Sequence, residues 1–184
     1  MKHITVFCGS RKGNRSLYLQ EAKKLGEELA KNKIITVYGG GSSGLMGAVA
    51  DGALERQGEV IGIVPETLKD IEIAHQHVTE LITVKTMHER KAKMYEYADA
   101  FIALPGGIGT LEEFVEVLTW YAIGQHEKYC ALLNTDKYYD PLLMLIKHMV
   151  KEGFLSEQVA DRIIVFAEPQ SLVHFLLKGE KGNV

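Results

Sequence analysis

The chain has 184 residues, 46% hydrophobic and 24% charged, with a formal net charge of −3. This length suits one domain with a full core. The balance excludes a disordered or low-complexity chain and gives no electrostatic reason to bind nucleic acid or an anionic membrane. The longest apolar runs, such as Ile61 to Val64 and Ala100 to Leu104, are strand-sized and far below the ~20 residues of a membrane span. The N-terminal MKHITVFCGS runs straight into a strand pattern without the apolar region and cleavage site of a signal peptide, so a cytoplasmic protein is expected.

Strand and helix patterns alternate from end to end. Ile4 to Cys8 reads as a strand ending at Gly9-Ser10, and Ser16 to Lys31 as a helix with Leu17, Leu25 and Leu29 among its apolar positions. Ile34 to Tyr38 is a strand closed by Gly39-Gly40-Gly41, followed by a helix from about Gly44 to Arg56. Val60 to Val64 is a strand stopped by Pro65. Glu66 to Glu80 reads as a long irregular loop, and Leu81 to Val84 as a short strand. A helix over Met87 to Ala98, a strand over Ala100 to Leu104 and a helix over Gly109 to Ile123 follow. The pattern ends with a strand (Tyr129 to Leu133), helices (Tyr139 to Glu152 and Glu157 to Arg162), a last strand (Ile163 to Phe166) and a closing helix (Gln170 to Leu177). The strands are continuous Val/Ile/Ala runs, as expected when helices cover both faces. The fold class is therefore α/β: a doubly wound parallel sheet flanked by helices, one domain over 1–184 with a polar tail at 178–184. In such sheets ligands bind beyond the carboxyl ends of the strands.

Three strands end in glycine-rich turns that lead toward helices: Cys8-Gly9-Ser10, Gly39 to Gly44, and Pro105 to Thr110. Glycine lets backbone approach a ligand closely, and a helix start offers free N–H groups to an anion. Three such turns at one sheet edge point to phosphate or nucleotide binding. Gly39 to Gly44 also spells G-x-G-x-x-G, with Glu66 placed as a ribose acid, which keeps an NAD(P)-dependent oxidoreductase as an alternative. It follows the second strand rather than the first.

Arg90 shares a helix face with Met87, Met94 and Tyr97. A cation on a partly apolar face either meets an anion or packs its stem while its head reaches water. Lys91 points to another side and on this argument is solvated. Thr110-Leu111-Glu112-Glu113 reads locally as a capping box, with Thr110 as N-cap and Glu113 reaching back. Glu113 nonetheless sits on a phosphate-type turn, with Glu116 one turn on. A carboxylate there suits an oxocarbenium-like sugar cation or an attacking water.

Cys8 and Cys130 read as buried reduced thiols, and the seven histidines form no metal set. No G-x-S-x-G elbow or Walker A lysine is present, so a serine triad and ATP hydrolysis lose ground. No metal and no cofactor are expected.

Pro105-Gly106-Gly107-Ile108-Gly109-Thr110-Leu111-Glu112-Glu113 resembles the P-G-G-x-G-T-x-x-E signature of the LONELY GUY family, cytokinin riboside 5′-monophosphate phosphoribohydrolases often labelled lysine decarboxylases. Met87-His88-Glu89-Arg90-Lys91 resembles its M-H-x-R-K motif. Val6 to Ser10 and Gly39 to Gly47 resemble its N-terminal blocks. The resemblance implies a modified Rossmann fold, and a homodimer with sites near the subunit interface. It also implies hydrolysis of the N-glycosidic bond of a nucleoside 5′-monophosphate, AMP or an N6-prenylated AMP. A non-catalytic nucleotide-binding protein remains an alternative. The resemblance makes Arg90 and Glu113 the catalytic pair. The substrate-binding set, drawn from the glycine turns, the two motifs and two further positions that the resemblance implies (Glu72 and Thr119), is Gly9, Ser10, Gly40, Gly41, Glu72, Met87, Arg90, Lys91, Gly106, Gly107, Ile108, Gly109, Thr110, Leu111, Glu112, Glu113 and Thr119. A dimer is also expected because Phe114, Val115, Val117, Leu118, Trp120 and Tyr121 give one helix more apolar surface than a single sheet-facing stripe uses.

Overall fold

A computed structural model describes residues 1–68 and 74–178. Seven strands, β1 (His3–Phe7), β2 (Ile35–Tyr38), β3 (Val60–Pro65), β4 (Glu80–Val84), β5 (Ala100–Ala103), β6 (Tyr129–Leu133) and β7 (Ile163–Phe166), form one sheet in the order β4-β3-β2-β1-β5-β6-β7. Every pairing is parallel, with Ile4 opposite Thr36 on one side and Ala100 on the other. The helices are α1 (Ser16–Lys31), α2 (Gly44–Glu55), α3 (Met87–Tyr97), α4 (Ile108–Ala122), α5 (Asp140–Lys151), α6 (Glu157–Asp161) and α7 (Pro169–Lys178). The predicted elements are all present, with boundaries that move by at most one residue.

The apolar strand runs reflect a sheet buried on both faces. Along β5, Ala100 and Ile102 join the core under α1, α2 and α7, while Phe101 and Ala103 join the core under α3 to α6. The same alternation divides Ala131 and Leu133 from Cys130 and Leu132 on β6. Burying a side chain as large as Phe101 contributes about 1.5–3 kcal/mol. The chain winds outward from β1 to β4, then returns to add β5 on the other side of β1. The crevice at this reversal, above β1 and β5, is where an open α/β sheet receives ligands. Gly9 N donates to Pro105 O there at 3.2 Å, joining the two loops.

Two local expectations are corrected. The N-cap of α4 is Gly107, so Thr110 lies inside the first turn and Glu113 in the second. Neither belongs to a capping box. The box is at the other T-x-x-E, before α3. There Thr86 Oγ1 accepts from Glu89 N at 3.1 Å, and Glu89 Oε2 reaches back one residue past the cap to accept from Lys85 N at 2.9 Å, a variant of the box. The apolar surplus on α4 is also smaller than its sequence suggests. Phe114, Val117 and Leu118 are buried in the chain's own core, and Trp120 packs edge-on to Tyr95 at 4.7 Å. What stays exposed on α4 is Ile108 and Val115, with Ile123 just beyond its end. Met144, Leu145 and Met149 on α5, and Phe154 beyond it, are exposed as well.

Candidate active site

Arg90 and Glu113 come together. α3 and α4 pack on the same face of the sheet, and Arg90 Nη1 donates to Glu113 Oε1 at 3.1 Å. Both residues are 9% exposed. Of the two readings of Arg90, pairing with an anion is the one the fold adopts. Its Nε also donates to Ile63 O at 3.2 Å, and Nη1 lies 3.3 Å from Met87 Sδ. Nη2 lies against Gly39, where a Cβ would come within 1.9 Å of it. The guanidinium thus spans the ends of β2 and β3 and delivers its charge to α4. Glu113 Oε2 has no protein partner among the described residues. Burial pushes the Glu113 carboxyl up and the Arg90 charge pulls it down. The balance leaves it above the ordinary glutamate range.

Lys91 is not solvated. Its Nζ donates to Glu112 Oε1 at 2.5 Å and to Glu116 Oε1 at 3.0 Å, and its side chain is only 15% exposed. Burial lowers its pKa, but the two carboxylates outweigh burial and the net shift is upward. Lys91 is therefore a firmly protonated ammonium. The sequence reading placed it on a separate face of α3, which is true, but α4 brings acids to that face.

The loop from Pro105 to Thr110 is built to present donors. Among the described residues, the amides of Ile108, Gly109 and Thr110 find no acceptor, while Leu111 N bonds to Gly107 O at 3.1 Å. Three free N–H groups at the positive end of a fifteen-residue helix form an anion seat. A Cβ on Gly106 would fall 2.1 Å from Thr110 Oγ1, so this glycine lets the hydroxyl fold back over the loop. A Cβ on Gly107 or Gly109 would meet nothing, which leaves open space above both.

The second glycine turn behaves differently. Leu45 N and Met46 N, at the start of α2, both donate to Gly9 O, at 3.0 and 3.3 Å. The amides that a dinucleotide pyrophosphate needs are thus already occupied, which counts against the NAD(P) reading. Gly40 has φ +77° and its carbonyl accepts His75 N at 3.0 Å, while Gly41 bridges Ala74. These two glycines shape the loop beside Arg90 and use their polar groups internally.

Of the other predicted site residues, Gly9 and Ser10 line one cavity with Gly106 and Gly107, and the rest disperse. Met87 is exposed beside Arg90, and Ser10 is exposed on the β1 loop with Gly9 behind it. Ile108 is 83% exposed, and Leu111 faces the α5 side of α4, away from Glu113. Glu112 holds Lys91. Thr119 is exposed, donates to Val115 O at 2.7 Å, and continues the Glu112–Glu116 face rather than the Glu113 face. Glu72 lies outside the described residues. Sequence reasoning missed Gly39 as the seat of Arg90, the Ile63 carbonyl, and Tyr138, whose hydroxyl donates to Gly106 O at 2.5 Å. No sequence pattern announces a carbonyl–arginine contact across 27 residues.

Both cysteines are buried and neither is in a disulfide; burial pushes the Cys130 thiol up to about 12, which makes it inert as a nucleophile. Among the described residues no His/Cys/Asp/Glu group has the arrangement of a metal site, and no helix is long and apolar enough to cross a membrane.

Comparison with known proteins identifies the family. A family model described as "Possible lysine decarboxylase" matches residues 46–176. A cytokinin riboside 5′-monophosphate phosphoribohydrolase from Rhodococcoides fascians is 50% identical over 165 residues, covering 89% of this chain and 83% of that protein. The rice enzyme of the same description, from Oryza sativa subsp. japonica, is 49% identical over 166 residues, covering 90% and 68%. Among solved structures, the molybdenum cofactor binding protein of Rippkaea orientalis superimposes with a TM-score of 0.74 at 22% identity, covering 96% and 95%, a likeness of fold alone. With half its residues shared along most of both chains, this protein belongs to the LONELY GUY family of cytokinin riboside 5′-monophosphate phosphoribohydrolases.

Proposed function

We propose that the protein hydrolyses the N-glycosidic bond of a nucleoside 5′-monophosphate, AMP or N6-prenylated AMP, to the free base and ribose 5-phosphate. The observation that carries this reading is the buried Arg90–Glu113 pair, with one carboxylate oxygen unclaimed and with Glu113 on the helix whose first turn offers three free amides. The 5′-phosphate sits on the amides of Ile108, Gly109 and Thr110, with the Thr110 hydroxyl beside it. Arg90 fixes the Glu113 carboxylate through Oε1, and Oε2 is left to face the ribose.

As the C1′–N9 bond breaks, its electron pair leaves with the base and positive charge grows on the ribose ring. Glu113 stabilises that cation and takes a proton from the water that adds to C1′. The departing base gains a proton at the nitrogen it frees. Binding and catalysis thus share α4, whose N-terminus holds an anion while its second turn holds a carboxylate. The open face of α4 and α5, with Ile108, Val115, Met144 and Phe154, supports a homodimer with the sites near the subunit interface. We place the protein in the cytoplasm.

The family model's description points to a lysine decarboxylase, whose pyridoxal route needs an enzyme lysine that can lose its proton and form an imine. Lys91 is held protonated between two carboxylates. Lys128, whose pKa burial lowers, stands just before the amino end of β6, at the end of the strands opposite the glycine turns. Neither favours that chemistry.

The test is incubation with AMP, N6-prenylated AMP and adenosine, with chromatography of the released base. Release from the monophosphates and far slower release from adenosine is expected. Binding of AMP without release of base from either monophosphate would convert the reading to a non-catalytic nucleotide-binding protein.

A further inference from the structure

We infer that the cavity between the β1–α1 loop and Gly106-Gly107 is a phosphate-group site whose counter-charges are Arg11 and Lys12. Its volume is about 330 Å³, and Arg11, Lys12, Tyr18, Leu45 and Tyr138 line it around the two glycines. This is larger than one phosphate, so the site has room for a phosphate together with part of what it is attached to.

Three features make the cavity select anions. No acidic side chain lines it, although the protein carries more acids than bases. Arg11 and Lys12 are exposed and have no ion-pair partner among the described residues, whereas nearby Arg15 is paired to Asp136. Three backbone carbonyls of the lining that would repel an anion accept internal donors. Gly9 O accepts from the amides of Leu45 and Met46, Pro105 O from Gly9 N, and Gly106 O from the Tyr138 hydroxyl. Those three carbonyls are engaged, and the cavity keeps two cations beside the free first turn of α4.

The shape is fixed from the chain's own side. Gly13, with φ +71°, lets the loop close over the Tyr18 ring, where a Cβ would lie 2.8 Å from Cδ2. Tyr18 meets Tyr138 edge-to-face at 5.8 Å and completes the outer wall. Neither Arg11 nor Lys12 is needed to hold this shape, so their charges are free to serve a ligand.

The phosphate has two possible sources: the 5′-phosphate of the nucleotide substrate, which rests on the function proposed above, or a second phosphate, such as the β-phosphate of a nucleoside diphosphate or inorganic phosphate. The test compares the wild type, the double variant Arg11→Gln/Lys12→Gln and the charge-keeping variant Arg11→Lys/Lys12→Arg. Calorimetric affinities are measured for AMP, ADP and inorganic phosphate, with AMP hydrolysis at low and high salt. The double Gln variant should lose roughly tenfold or more in affinity for at least one of the three, and its residual binding should depend less on salt. The charge-keeping variant should retain most of the affinity.

A raised KM for AMP with kcat held identifies the substrate's own phosphate. Unchanged AMP kinetics with weakened ADP or inorganic phosphate identifies a second phosphate. Unchanged affinity for all three ligands overturns the site, as does an equal loss in the charge-keeping variant. Absence of AMP hydrolysis in the wild type would sink the proposed function but leave the binding comparison readable.

Discussion

Gly39 faces the tip of Arg90 so closely that a methyl group at its Cα would lie 1.9 Å from Nη2. The glycine at the end of β2, which the sequence offers as part of a nucleotide fingerprint, is the seat of the arginine. Gly39→Ala should therefore leave the fold intact, because the atoms that must move are the far ends of two flexible side chains, Arg90 and, by a few tenths of an ångström, Met46. Arg90 would have to leave Ile63 O and Glu113 Oε1. We expect kcat on AMP to fall about 10- to 100-fold, in line with loss of one preorganised charged contact, with an unchanged circular dichroism spectrum. Wild-type turnover would show that Arg90 has another productive position.

The relocated capping box gives a paired stability test. Thr86→Ala removes the acceptor for Glu89 N and should cost about 1 kcal/mol, read as a lower urea midpoint. Thr110→Val keeps the shape of a residue that caps nothing, and stability should hold within about 0.5 kcal/mol. Nucleotide affinity should fall in the second variant and not in the first. The reverse pattern of stability losses would restore the box at Thr110.

The fold was readable because local signals agreed. Apolar runs such as Ala100 to Leu104 had the length of strands covered on both sides, and glycine or proline closed several of them. The same local reading misplaced the start of α4, since Thr110 and Glu113 have capping chemistry and three-residue spacing just as Thr86 and Glu89 do. The difference is tertiary. Glu113 is drawn away by Arg90, 23 residues upstream, while Glu89 has no such competitor. Lys91 was misread for the same reason, because helix periodicity on α3 says nothing of the acids that α4 brings opposite. The Arg90–Glu113 pairing itself was legible only through the resemblance, since neither spacing nor composition joins two helices separated by a strand.

The raised carboxyl of Glu113 predicts a displaced acid limb. Burial is the larger influence and Arg90 opposes it, so ionisation is completed at a pH above that of an ordinary glutamate. If the ionised form is the active one, kcat at saturating AMP should climb with pH through this raised value and level off above it. For stability the sign is opposite. Between the unfolded and the folded pKa the native state binds more protons, so this group's contribution falls as pH rises through that window. An acid limb in the ordinary glutamate range, or none, would exclude Glu113 as the titrating group.

Glu113→Gln separates structure from chemistry. In the fold Glu113 is not a helix cap, so no capping loss is expected. Its raised pKa means that the native environment accepts a neutral side chain at least as well as an ionised one, so the melting temperature at neutral pH should be unchanged or slightly higher. The Gln carbonyl oxygen can still accept from Arg90 Nη1, which keeps the arginine in place. What disappears is the negative charge where the ribosyl cation forms. Losing such a preorganised contribution costs ~3–4 kcal/mol, a factor of about 100 to 1000 in kcat, while AMP affinity persists because the phosphate seat lies at the start of the same helix. Glu112→Gln is the control: it removes one of two carboxylates from Lys91, leaves Glu116 in contact, and should cost far less in turnover. A Glu113→Gln protein that binds AMP and turns it over at the wild-type rate would refute the catalytic assignment and reduce the buried pair to a strut between α3 and α4.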